Sequence, residues 1–183
     1  MVMDGWIDET HRFWFEELKP DDWFEPRPRT DAMIRQRFLA VYERLADAVP
    51  DAAAREPRAA LASVLVYDQF PRNLFRGTAR AFATDRLALT IARDAVQRKF
   101  DEDLTSSGRK FLYMPFMHSE RLADQERSVA LFRTVDDDSL KFAIEHRDVI
   151  ARFRRFPHRN VALGRESAAE EVEFLRQHEG FGQ

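Results

Sequence analysis

Asp31-Ala32-Met33-Ile34-Arg35-Gln36-Arg37-Phe38-Leu39-Ala40-Val41-Tyr42-Glu43-Arg44-Leu45 decides the fold class. Ile34, Phe38, Val41 and Leu45 recur at steps of three and four residues, which places them on one apolar helical face. Thr30 or Asp31 can cap this helix and Pro50 breaks it. The same period extends in both directions. Upstream, Asp8 can cap a helix carrying Phe13, Trp14, Phe15 and Leu18 that ends before Pro20, and Trp23 and Phe24 follow in a loop closed by Pro26 and Pro28. Downstream, Pro57 suits the first turn of a helix through Leu61, Val64, Leu65 and Phe70. Thr84 can cap the next helix, with Leu87, Ile91, Ala92 and Ala95 on its apolar face. Ser119 starts a fifth helix using Leu122, Val129 and Phe132. Asp136-Asp137-Asp138 suits the electropositive start of a sixth, with Leu140, Ile144, Ile150 and Phe153. Ser167 and Glu170 suit a capping box for a last helix through Val172 and Leu175. Between these, Asp101 to Gly108 reads as a polar connection, and Phe111 to Met117, interrupted by Pro115, as a buried connector.

No segment alternates with period two, so the sequence predicts an all-α fold of about seven helices in antiparallel hairpins. The chain has 183 residues, 44% hydrophobic and 33% charged, which suits a single helical domain over residues 1–183. No apolar run approaches the length of a membrane span, and Met1 to His11 has no secretory pattern, so the expected setting is the cytoplasm. The absence of cysteine excludes disulfides, thiolate metal sites and thiol nucleophiles. A net charge of −3 argues against a nonspecific nucleic-acid surface. Arginines interleaved with Phe70, Phe75, Phe82, Phe153 and Phe156 fit a buried core better than an RNA-stacking surface.

Two stretches echo each other. Asp68-Gln69-Phe70-Pro71-Arg72-Asn73-Leu74-Phe75-Arg76-Gly77 and Arg155-Phe156-Pro157-His158-Arg159-Asn160 both carry Phe-Pro followed by Arg-Asn. Phe anchors each in the core, Pro is expected to stop the preceding helix, and Arg-Asn supplies donors and an amide at the turn. Arg72, Arg76 and Arg80 lie between Asp68 and Asp85 with no carboxylate among them. Arg152, Arg154, Arg155, Arg159 and Arg165 lie likewise between Asp148 and Glu166. If the two corners converge, they form a local cationic patch suited to a small anion.

Phe13-Trp14-Phe15, the Asp68 to Gly77 stretch, Ala81-Phe82-Ala83-Thr84-Asp85, Met114-Pro115-Phe116-Met117-His118-Ser119-Glu120 and Arg155 to Asn160 together resemble the bacterial domain-of-unknown-function family nine-two-four. The resemblance implies an all-helical, tetratricopeptide-like fold and no established reaction. No sustained repeat of roughly 34 residues is visible, so a regular solenoid is not expected. Arg154 departs from the family pattern, which more often has Gly at this position.

The reading of the residues themselves is a polar pocket for a small anionic ligand. Asp68, Arg72, Asn73, Arg76, Arg155, Arg159 and Asn160 are the binding candidates. His118, Glu120 and His158 are the candidates for proton transfer, with Glu120 or Asp68 orienting the imidazole. Arg72 and Arg159 should then lie within about 10 Å of each other. A metal site drawn from His118, Glu120, His146 and His158 is disfavoured, because no pair is spaced to share a helical face and the arginines repel a cation. Cofactors are left open. The alternative is a structural salt-bridge network in a helical module that binds an acidic peptide or protein; there Asp68 and Glu120 would neutralise the arginines.

Overall fold

The computed structural model describes residues 5–178. Its elements are all helical, and no strand occurs among the described residues. Helix α1 (Trp6–His11) runs on as a π-helical turn, Arg12–Glu17, and a short α2 (Pro20–Phe24) leads to the long α3 (Pro28–Leu45). Helix α4 (Pro57–Val64) continues through a second π-helical turn, Leu65–Gln69, into α5 (Phe70–Leu74). Then follow α6 (Asp85–Gln97), α7 (Ser106–Met117), α8 (Leu122–Phe132), α9 (Asp137–Phe153) and α10 (Ala169–Gln177). No helix among them is long and apolar enough to cross a membrane.

One core gathers the apolar faces. Ile34 and Phe38 of α3 meet Phe13 and Trp14 of the first π turn and Phe70 at the head of α5, all with at most 1% exposure. The Phe38 and Phe70 ring centroids are 4.6 Å apart, and Trp14 lies 5.7 Å from Phe70. Phe111 of α7 closes the cluster against Trp14 at 5.3 Å. A smaller cluster of Val149, Ile150 and Phe156, flanked by Phe153 and Phe174, attaches α10 to the end of α9.

Several expectations are corrected: α1, α3 and α8 start at other residues than Asp8, Thr30 or Asp31 and Ser119, Trp23 and Phe24 belong to α2, and two further corrections shape the site. Pro71 does not stop its helix. A proline has no N–H and crowds the carbonyl one turn back. The widened π turn accommodates that misfit, and the Tyr67 carbonyl accepts a hydrogen bond from the Thr84 hydroxyl at 2.7 Å. The helix therefore runs on to Leu74. Thr84 does precede α6, but its hydroxyl serves this carbonyl instead of capping α6.

The second correction concerns residues 106–117, read as connector and found as α7. Thr105 caps α7 by accepting from the Gly108 N–H at 3.1 Å, and Pro115 sits in its last turn, where one lost bond is cheap. Gly108 marks close contact with α4, since a Cβ there would stand 3.2 Å from Leu61 Cδ2. At the last helix the box is displaced by one residue from the expected Ser167–Glu170. Glu171 accepts from the Ala168 N–H at 2.7 Å, while Ser167 bonds Asn160.

The second Phe-Pro corner does end a helix. Arg154, which caps α9, has φ 61°, in the left-handed region that favours glycine. Its side chain is exposed. Arg154→Gly is therefore expected to raise stability by about 0.5–1 kcal/mol, because the strain relieved exceeds the chain entropy lost. Chemical denaturation of the two chains measures the difference.

Candidate functional site

The π turn brings Asp68 to the centre of the molecule. Its side chain is fully buried, and both carboxylate oxygens lie on one atom, Nδ1 of His118, at 2.8 and 2.9 Å. Gln69 Nε2 donates to Asp68 Oδ2 at 2.6 Å, and Arg72 Nη1 stands 3.5 Å from Oδ1. Burial alone would raise the Asp68 pKa, but the His118 ring, Arg72 and Gln69 together hold it below the usual carboxylate range. His118 is shifted downward by its burial, with Arg72 and Arg159 acting in the same direction against Asp68. An ionised Asp68 facing a neutral His118 fixes the proton on Nδ1, so Nε2 is an unprotonated acceptor. Nε2 makes no hydrogen bond within the described protein.

His118 lies in the wall of a cavity of about 560 Å³. Around His118 its polar lining includes Gln69, Arg72, Asn73, Arg76 and His146, and Lys110, Asp138, Ser139 and Glu145 line it as well. Trp23, Phe24, Met114, Met117, Phe132 and Phe142 supply apolar wall. A cavity of this size with a few convergent polar groups has the usual character of a small-molecule site.

The arginines converge as expected, but on a carboxylate. Arg72 grips Asp85 with Nη1 at 2.9 Å and Nη2 at 3.0 Å, and Arg159 Nη1 reaches the same Asp85 at 3.4 Å. Both guanidinium groups also stack on Phe82, at 5.5 and 4.6 Å from its centroid. Arg159 is buried between Phe82 and Phe156, and that burial pulls its pKa down to about 10. Arg76 pairs with Asp31 at 3.0 Å, and Asn73 donates to Asp31 at 2.8 Å. Arg72 keeps one buried donor, Nε–H, without a partner among the described residues.

The second corner is arranged differently, and its candidates do not line the cavity. Arg155 makes a bidentate pair with Glu171 at 2.6 and 2.7 Å, and Asn160 Nδ2 reaches Ser167 at 3.0 Å and Glu171 at 3.3 Å. Glu120, expected to orient a histidine, instead takes Arg165 at 2.8 Å through both oxygens and accepts from the Phe156 N–H at 2.9 Å. His158, the other expected proton carrier, packs on Phe174 at 5.6 Å and His178 at 5.0 Å. Of the four residues weighed for metal, His118 and His146 share the cavity wall while Glu120 and His158 are held elsewhere, and no group of three potential ligands is assembled among the described residues.

A family model described as "bacterial protein of unknown function (DUF924)" matches residues 10–179. The chain belongs to the DUF924 family. A solved structure of a protein of unknown function from Agrobacterium tumefaciens superposes with a TM-score of 0.87 at 37% identity. The match covers 94% of this chain and 97% of that one. No curated protein matches this DUF924 chain.

His146, placed by the sequence only in a disfavoured metal set, belongs to the cavity itself. It lines the cavity, donates from Nδ1 to the Phe142 carbonyl at 2.7 Å and stands 6.4 Å from the His118 ring. Its position one turn after Phe142 on α9 was the available signal. Burial first, then His118, lowers its pKa to about 3. The unfolded chain therefore binds a proton here below about pH 6.5 that the folded chain refuses, so stability falls as pH drops through that window. From pH 6.5 to 5 the expected loss from His146 is about 2 kcal/mol. Denaturant unfolding at the two pH values should show this difference, and His146→Gln should reduce it.

Proposed function

We propose that this DUF924 protein binds a small organic molecule in the cavity and that His118 moves a proton on it. The single observation behind this reading is the Asp68–His118 pair. A wholly buried carboxylate spends both oxygens on Nδ1, and the opposite nitrogen is left as a base on a cavity wall. Asp68 orients the ring and stabilises the imidazolium that forms on proton uptake. Arg72, with Asn73 and Gln69 beside it, would hold an anionic or acceptor head group. Ser139 also lines the cavity, but its hydroxyl donates to Asp136 at 2.9 Å. His118 would therefore act on a water or on a proton of the ligand itself.

For the second corner, the structural-network reading accounts better for what is seen. Arg155 with Glu171 and Arg165 with Glu120 are complete bidentate pairs that join the end of α9, the loop after α7 and α10. Such paired arginines leave little charge for an acidic peptide.

Screening wild type and His118→Gln against small carboxylic and phosphorylated acids by thermal shift tests the proposal. A ligand at about 100 times its dissociation constant adds roughly 2.7 kcal/mol. A hit should also protect His118 from acylation by diethyl pyrocarbonate. The proposal fails if no acid stabilises the wild type and no acid slows that acylation.

A further inference from the structure

Resting on that reading of the cavity, we infer that its ligand also carries a cationic amine. The site then takes a small zwitterion, with its acceptor head beside Arg72 and His118 and its ammonium group at the mouth.

The charge arrangement carries the inference. The Arg and Lys side chains lining the cavity are already paired: Arg72 with Asp85 at 2.9 Å, a carboxylate that Arg159 shares, Arg76 with Asp31 at 3.0 Å, and Lys110 with Asp136 at 3.3 Å. Two carboxylates in the same lining, Asp138 and Glu145, make no ion pair among the described residues. The cavity is therefore short of positive charge. A purely anionic ligand would meet uncompensated carboxylates, whereas an ammonium group would neutralise them.

The aromatic residues agree. Asp138, Phe142 and Glu145 lie one and two turns apart along α9, so a single helical face presents acid, ring and acid to the cavity. Phe142 is 53% exposed, and Phe24 on the other wall is 51% exposed. Both rings line the cavity, which places them at its mouth. Exposed ring faces beside carboxylates attract an ammonium group through the ring quadrupole as well as by charge. Phe24 already has one ammonium near it, Lys110 Nζ at 6.0 Å from its centroid. The inner end has the opposite polarity of demand: His118 is 8% exposed, and neither its Nε2 nor the Arg72 Nε–H has a hydrogen-bond partner among the described residues. One end of the cavity calls for a cation and the other for a polar head, which is the pattern of an amino acid.

Calorimetric titration of the full chain with butyrate, butylamine, γ-aminobutyrate and their longer homologues is the test. A zwitterion is expected to bind at least about tenfold more tightly than its matched acid or amine. The double variant Asp138→Asn, Glu145→Gln is expected to remove that advantage, weakening the zwitterion and the amine while the acid binds as tightly as before or more tightly. Equal binding of acid and zwitterion to wild type, unchanged in the variant, overturns the amine and leaves the cavity reading intact. If no probe binds the wild type and none protects His118 from acylation, both fall. Unaltered circular dichroism and melting of the variant would show that the lost advantage belongs to the charges and not to the fold.

Discussion

Asp85→Asn is expected to lower the stability of the folded protein by about 3–5 kcal/mol. Asparagine keeps the volume and removes the charge. Asp85 neutralises two guanidinium groups, Arg72 and Arg159, whose side chains are only 10% and 5% exposed. Without it, two like charges share a buried space around Phe82 with Asp68 as the nearest remaining anion of Arg72. The converse change, Arg159→Gln, is expected to cost less, about 1–3 kcal/mol, because Asp85 keeps its bidentate pair with Arg72. Urea unfolding of the three chains gives the order directly. An Asp85→Asn loss smaller than that of Arg159→Gln would mean that Arg159 is held by something other than this carboxylate.

Phe70→Ala is expected to cost about 3–5 kcal/mol by emptying a volume that does not collapse. Phe70 is wholly buried and contacts the rings of Phe13, Trp14 and Phe38. It also immediately follows the π turn that carries Asp68 and Gln69, so the cavity formed would loosen the backbone under His118. The variant should therefore lose any ligand-induced stabilisation as well. By contrast, Thr84→Val should cost about 1–3 kcal/mol, the penalty of leaving the Tyr67 carbonyl buried without its donor. The ranking is read from melting curves of the three chains, and a Phe70→Ala midpoint above that of Thr84→Val would contradict it.

The all-helical fold was legible because Ile34, Phe38, Val41 and Leu45 show their period without help from the rest of the chain. Residues 106–117 were not legible as a helix. Eight of the twelve are buried, so no polar face alternates with the apolar one, and Pro115 looks like a break until its place in the last turn is known. The continuation of α4 past Pro71 was hidden for a related reason. The group that repairs the helix, Thr84, is seventeen residues away and looks locally like a cap.

At the site, the meeting of Arg72 with Arg159 followed from their repeated corner, but the identity of what they meet did not. Asp85 appeared only as the boundary of a stretch without carboxylates, and ion-pair partners are chosen by topology. The same holds for Arg155 with Glu171 and for Arg165 with Glu120. Asp68 and His118, fifty residues apart, were both candidates, yet nothing in the chain shows that both oxygens of one turn to Nδ1 of the other. That orientation needs α7 laid against the π turn.

The central claim is that His118 is a neutral, Asp68-oriented base with Nε2 open to the cavity. Nitrogen-15 NMR of the histidine side chains near pH 7, assigned with His118→Gln, measures the tautomer directly. The account predicts a protonated Nδ1 and an unprotonated Nε2 on His118, with Asp68→Asn disturbing that state. An imidazolium at this pH, or a proton found on Nε2, would contradict it.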